Sequence, residues 1–145
     1  MREISNWFGL SERSPDADIV VLGCPFDEPA SIRQGAAAAP AAIRRWSTTA
    51  QAVTEDGTEV RLRVHDCGDV AAGSDSPQVR WEAIEAAATT ALAANPTGFL
   101  LGLGGDHAVT PPLVAAARVK MGAAADPLAV LRETQYRRRK TEERA

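Results

Sequence analysis

Apolar residues gather into four short runs, at 18–23 (DIVVLG), 60–66 (VRLRVHD), 98–103 (GFLLGL) and 127–131 (PLAVL). Each has the length of a strand and is bounded by Gly, Pro or Asp, so each is predicted as a β-strand. In the second run Arg61 and Arg63 alternate with Leu62 and Val64. One face of that strand is wetter than the other, which predicts a place near a sheet edge.

Between the runs the spacing becomes helical. APAAIRRW (39–46) sets Pro40 in a first turn ahead of Ile43 and Trp46. SPQVRWEAIEAAATTALAAN (76–95) opens with Ser76 as N-cap before Pro77 and closes near Asn95-Pro96. TPPLVAAARVKMG (110–122) repeats the device, with Thr110 as cap, Pro111 in the first turn and Gly122 as the stop. Strands alternating with helices predict βαβ units, hence an α/β fold with a parallel sheet covered on both faces. The alanine-rich pieces keep no fixed period and imply no repeat architecture.

Composition narrows the class. The 145 residues are 45% hydrophobic and 24% charged, the balance of one soluble domain with a real core. The opening residues hold no apolar signal-peptide core and no run is long enough to span a bilayer, so a cytoplasmic protein without membrane partners is expected. The net charge of −3 divides into +3 over residues 132–145 and −6 before them. That excludes nucleic-acid binding by the body and leaves a basic tail that reads as a solvated segment, with nucleic-acid contact by the tail as the alternative. Cys24 and Cys67 lie too far apart to form a metal-type pair and read as buried, reduced thiols.

Open α/β sheets bind ligands beyond the carboxyl ends of their strands. The segments there carry Asp27 and Arg33 after the first strand, Asp66 and Asp69 after the second, and Asp106 and His107 after the third. Titratable residues therefore collect on one rim. His107 follows Gly104-Gly105 on a short loop, a position that suits either a metal ligand or a hydrogen-bonded structural histidine at the helix entrance. His65, inside a strand, reads as structural. Asp66 and Asp69 flank a glycine turn, which is ordinary turn chemistry, with cation binding as the alternative. Arg33 and Gly35 precede a helix N-terminus and form either a plain loop or a contact for an anionic substrate group. Gly102 and Gly104 begin a G-x-G-x-x-G, but His107 takes its third position, and no phosphate-binding G-x-x-x-x-G-K-[ST] occurs. Nucleotide binding is set aside.

Taken in order, VVLGCPFD (20–27), RQGAAAAPAAIR (33–44), HDCGDV (65–70), LLGLGGDHAVT (100–110) and PLAVL (127–131) resemble the N-terminal half of the ureohydrolase family: the arginases, agmatinases and formimidoylglutamases. The resemblance implies an arginase-like three-layer αβα fold and hydrolysis of linear guanidino or amidino compounds. It also implies two bridged manganese ions that lower the pKa of a shared water for attack on the trigonal carbon. Under it, His107 becomes a manganese ligand, Asp106 its supporting neighbour, and Arg33 with Gly35 a substrate-side loop, with no catalytic residue assigned. Ala108 stands where the family often has Ser, which removes a hydroxyl and no ligand.

The family pattern stops after Leu131. There the resemblance implies a strand ending in Asp-x-His-x-Asp and, later, an Asp-x-Asp pair. Instead RETQYRRRKTEERA follows, with no Asp or His after Asp126, so five of six expected metal ligands are missing. Nine of the last fourteen residues are charged, and apolar spacing disappears at once. The expectation is an N-terminal part of a ureohydrolase domain over 1–131 and a charged non-family tail over 132–145, C-terminally truncated by a frame change or a new terminus. Such a chain is expected to be inactive alone and, with a strand edge and helix faces uncovered, either to have marginal stability or to self-associate. The alternative is a non-catalytic subunit or binding module completed by a partner chain. The substrate within the family stays open, because the recognising loops lie mostly beyond the break.

Overall fold

The computed structural model describes residues 7–10, 16–27, 35–71 and 76–121. The predicted strand at 127–131, the tail at 132–145, Arg33 and Gly122 lie outside the described residues.

β1 (Ile19–Cys24) runs through the middle of a parallel sheet of order β2-β1-β3, with β2 (Val64–Asp69) on one side and β3 (Phe99–Gly104) on the other. Its β-branched run is buried on both faces, as a central strand requires. β2 lies at an edge, as the alternating arginines predicted, but its limits differ from the expected 60–66. Before it, the Val60 amide donates to the Ala52 carbonyl at 2.8 Å, in a small turn closed by an antiparallel bridge between Val53 and Glu59. Residues 60–63 therefore join the sheet late, where Arg63 is anchored by its backbone and guanidinium to Asp18.

Helices cover both faces, giving the three layers. α1 (Ala39–Ser47) lies on the face that carries Val21, while α2 (Pro77–Ala94) and α3 (Thr110–Met121) pack on the face that carries Leu22. α2 keeps its predicted start, with Ser76 Oγ accepting the Val79 N–H at 3.2 Å, and ends where Asn95 Nδ2 donates to the Ala91 carbonyl at 3.0 Å. α3 corrects the prediction. Asp106, held in extended backbone, is the cap of a 3-10 turn, His107–Val109, and Thr110 is the first residue of the helix that follows. The Asp106 carboxylate, four residues before Thr110, accepts the Ala108 amide and so opens the helical segment earlier than a Thr110 cap would.

The larger core joins Leu22, Cys24 and Phe26 to Ile84, Ala88 and Leu92 of α2 and Ala116 of α3. Burying each Leu or Ile there contributes about 1.5–3 kcal/mol. β3 and α3 approach closely because Gly102 has no side chain: a Cβ there would lie 2.5 Å from Leu113 Cδ1. A smaller cluster of Trp7, Val21, Val64 and Leu103 fills the opposite face.

Candidate functional site

The parallel strands deliver three loops to one rim, and backbone hydrogen bonds hold them together. The Val70 amide donates to the Gly23 carbonyl at 2.8 Å, the Gly105 amide to Cys24 at 3.1 Å and the Asp106 amide to Phe26 at 2.7 Å. The last two explain the adjacent glycines. A Cβ on Gly105 would stand 2.3 Å from the Phe26 carbonyl oxygen, so only glycine lets the loop after β3 lie on the loop after β1.

β2 carries a bulge at this rim. Val21 pairs with Asp66 and Gly23 with Asp69, so two steps on β1 face three on β2. Gly68 absorbs the extra residue in left-handed backbone, φ 80°, and its amide donates to Asp66 Oδ1 at 2.8 Å. In a regular strand residues three apart point to opposite faces. The bulge turns Asp66 and Asp69 to the same face, where both meet Arg44 of α1. Arg44 donates Nε to Asp66 Oδ2 at 2.7 Å, Nη2 to Asp66 Oδ1 at 2.9 Å, and Nη1 to Asp69 Oδ1. Trp7 Nε1 donates to Asp66 Oδ2 at 2.7 Å. The two aspartates thus do converge on a cation, and that cation is the protein's own guanidinium.

Asp27 is committed in a similar way. Its Oδ2 accepts the amides of Gly35 and Ala37 at the start of α1's leading 3-10 turn, and the bond from Gly35 foremost holds its carboxyl below the usual carboxylate range. Gly35 therefore has its N–H turned to an internal carboxylate. Asp106 Oδ1 accepts the Ala108 amide at 2.9 Å. His107, the residue after it, is exposed and lies 3.4 Å through Nδ1 from Thr110 Oγ1. His65 sits in β2 as predicted, half-buried, with an Nδ1 that has no hydrogen-bond partner among the described residues.

The cysteines differ from the expected buried pair. Cys24 is fully buried, and burial, aided by the Asp69 charge, pushes its thiol up to about 11. Cys67 is exposed on the edge strand.

Tested against a binuclear manganese centre, this donor set does not fit. Among the described residues no three of His, Cys, Asp and Glu are grouped to hold a metal. The rim carboxylates among the described residues are each engaged: Asp27 by amides, Asp66 and Asp69 by Arg44, and Asp106 by Ala108. His107 alone presents a donor to solvent on the GGDH loop. Sequence reasoning missed Arg44 and Trp7. The signal was the Asp-x-Gly-Asp spacing itself, since a bulged pair of carboxylates on a half-buried strand requires a cation nearby.

Residues 17–132 match the family model described as Arginase family. Agmatinase from Escherichia coli O1:K1 / APEC is 37% identical over 125 residues, which cover 78% of this chain and 40% of that protein. The crystal structure of a hypothetical agmatinase from Burkholderia thailandensis superposes with a TM-score of 0.66 at 34% identity, over 76% of this chain and 36% of the other. Formiminoglutamase from Trypanosoma cruzi with Mn2+2 gives a TM-score of 0.63 at 27% identity, over 75% and 37%. Formimidoylglutamase from Bacillus subtilis gives 0.68 at 22% identity, over 77% and 36%, a likeness of fold. The chain spans 40% of the length of the curated agmatinase it matches. No helix among the described residues is long and apolar enough to cross a membrane.

Proposed function

The chain belongs to the arginase family, and from that premise we propose that it is the N-terminal part of a ureohydrolase, a hydrolase of C–N bonds in linear guanidines or amidines. Its own contribution to a binuclear manganese centre is His107, supported by Asp106 on the same loop. The other donors are not in this chain, so residues 1–145 neither hold a manganese pair nor turn over substrate alone. One observation carries this reading: His107 is open to solvent while Asp27, Asp66, Asp69 and Asp106, the rim carboxylates among the described residues, are bound internally. When bound, two manganese ions would supply an activated water; the residues of this chain offer a single imidazole to that chemistry. Arg33 and Gly35 are proposed for the substrate side of the rim.

The test is metal analysis of the purified chain after manganese loading and desalting, with urea and ammonia assays on agmatine, arginine and formimidoylglutamate. Substoichiometric manganese without product is expected. Two equivalents of tightly held manganese with steady product release would overturn the reading.

A second reading, a non-catalytic subunit completed by a partner chain, is supported by an apolar groove of about 300 Å³ on the α1 face, lined by Trp7, Leu10, Val53, Leu62, Val64 and Leu101. A co-purifying chain bearing Asp-x-His-x-Asp that restores manganese binding would favour it. Urea release by the isolated chain would remove it.

A further inference from the structure

Among the described residues the hydrogen-bond neighbour of the His107 imidazole is the Thr110 hydroxyl, 3.4 Å from Nδ1, and the ring is exposed. A contact of that length holds a ring weakly, so His107 takes its direction from the backbone beneath it.

Two segments hold that backbone. The first follows β1: the carbonyls of Cys24 and Phe26 accept the Gly105 and Asp106 amides at 3.1 and 2.7 Å. The second is the 3-10 turn Ala36–Ala38 that leads into α1. A Cβ on Gly105 would lie 2.3 Å from the Phe26 carbonyl oxygen and 3.2 Å from the Ala36 carbonyl carbon, so the loop that carries His107 lies against both, with no room for a side chain between.

The turn does not supply its own cap. Gly35 occupies the cap position, with no side chain to serve the open amides and with its backbone at φ 121°, a conformation that glycine adopts freely. The acceptor comes from eight residues earlier. Asp27 Oδ2 takes the Gly35 amide at 2.5 Å and the Ala37 amide at 3.2 Å, and its charge makes these bonds stronger than those of a neutral cap. Phe26 and Asp27 are neighbours in the chain. One holds the His107 loop by a carbonyl, and the other holds the turn behind that loop by a carboxylate.

We propose that Asp27 is a positioning residue for His107: its carboxylate fixes the turn at 35–37 against Gly105, and the turn fixes the loop that presents the imidazole. The importance of this coupling rests on the donor role proposed for His107, whereas the coupling itself is a property of the chain without metal.

NMR on the full, metal-free chain tests it. The two histidines give separate imidazole signals, and His65, inside β2, reports on the sheet. Asp27→Ala is expected to speed exchange of the Gly35 and Ala37 amides by about five- to tenfold, the effect of losing a cap. It is also expected to speed the Gly105 and Asp106 amides, whose own acceptors are untouched, and to shift the His107 ring signals while those of His65 stay in place. Asp27→Asn keeps an acceptor oxygen and is expected to restore all of these. Gly35→Ala leaves Asp27 and Phe26 intact but strains the turn at φ 121°, and is expected to shift the His107 signals as well. His107 signals that stay in place in Asp27→Ala, a shift that Asp27→Asn does not reverse, or no shift in Gly35→Ala would each overturn the proposal. If Asp27→Ala does not fold, which displaced His65 signals would show, Gly35→Ala decides it. Because no metal is present, failure here is distinct from failure of the donor assignment, which manganese analysis reads.

Discussion

Arg44 and Asp66 meet as two parallel hydrogen bonds, Nε to Oδ2 at 2.7 Å and Nη2 to Oδ1 at 2.9 Å, with side chains only 14% and 8% exposed. The guanidinium fork matches the carboxylate plane, which a lysine ammonium cannot do. Arg44→Met leaves the Asp66 charge half-solvated at best and is expected to destabilise the fold by about 3 kcal/mol, the lower end for breaking a buried pair. Arg44→Lys should lose less, and Arg44→Met with Asp66→Leu should recover part of the loss. Urea unfolding at neutral pH measures all three. A loss below about 1 kcal/mol in Arg44→Met would mean that the pair behaves as a surface ion pair.

Asp69 and Gly23 are coupled by space. A Cβ on Gly23 would lie 1.8 Å from Asp69 Oδ1, so Gly23→Ala forces the carboxylate away from Arg44. The substitution is expected to cost more in the unmodified protein than in Asp69→Ala, where the clash is gone. The difference between the two costs, read from a double-mutant cycle, should be at least about 1 kcal/mol. Equal costs would show that the strand end relaxes without touching Asp69.

Acid stability depends on Asp18. The Arg63 side chain, which hydrogen-bonds to it, lowers its carboxyl from 3.8 to about 2. The folded chain thus binds this proton less readily than the unfolded chain. The contribution is fully present above about pH 4 and is lost as pH falls toward about 2. Thermal unfolding followed across that window should fall less steeply with acid in Asp18→Asn than in the unmodified protein. Identical slopes would assign the acid loss to other carboxylates.

Much of this was legible in the letters, and the failures have physical causes. Ser76-Pro77 and the β-branched run of β1 each express a local rule and formed their elements where the rule placed them, while the alternating arginines marked β2 as an edge strand but not its limits. The GGDH loop was read correctly as a tight turn beyond a strand, but Thr110 lost the cap to Asp106 because an aspartate two residues before an open amide outcompetes a later hydroxyl. Asp66 was read as the end of a strand and Asp69 as lying beyond a glycine turn, whereas β2 runs through both. Period-two reasoning cannot see a bulge, and the bulge is what brings them together. Arg44, distant in sequence, could be found only by asking what neutralises them.

The two thiols should differ sharply in reactivity. Cys24 is fully buried with its thiol pushed up to about 11, whereas Cys67 is exposed. Reaction requires thiolate and access together. One thiol is expected to react with Ellman's reagent in the folded protein and two in denaturant. Two fast thiols without denaturant would show that the β1 core opens readily.

Asp106 and His107 are neighbours with separable roles. Asp106 caps the turn into α3, so Asp106→Ala is expected to cost about 1 kcal/mol, and Asp106→Asn much less because the amide oxygen can still accept. His107 is exposed, and among the described residues its hydrogen-bond neighbour is the Thr110 hydroxyl at 3.4 Å, so His107→Ala should change stability by no more than about 0.5 kcal/mol. The pair of measurements separates a histidine kept for the fold from one that the fold presents. A loss above about 1 kcal/mol in His107→Ala would make it a structural residue and weaken its assignment as a metal donor; a neutral result leaves an imidazole held at the rim with no structural work, as a ligand position requires.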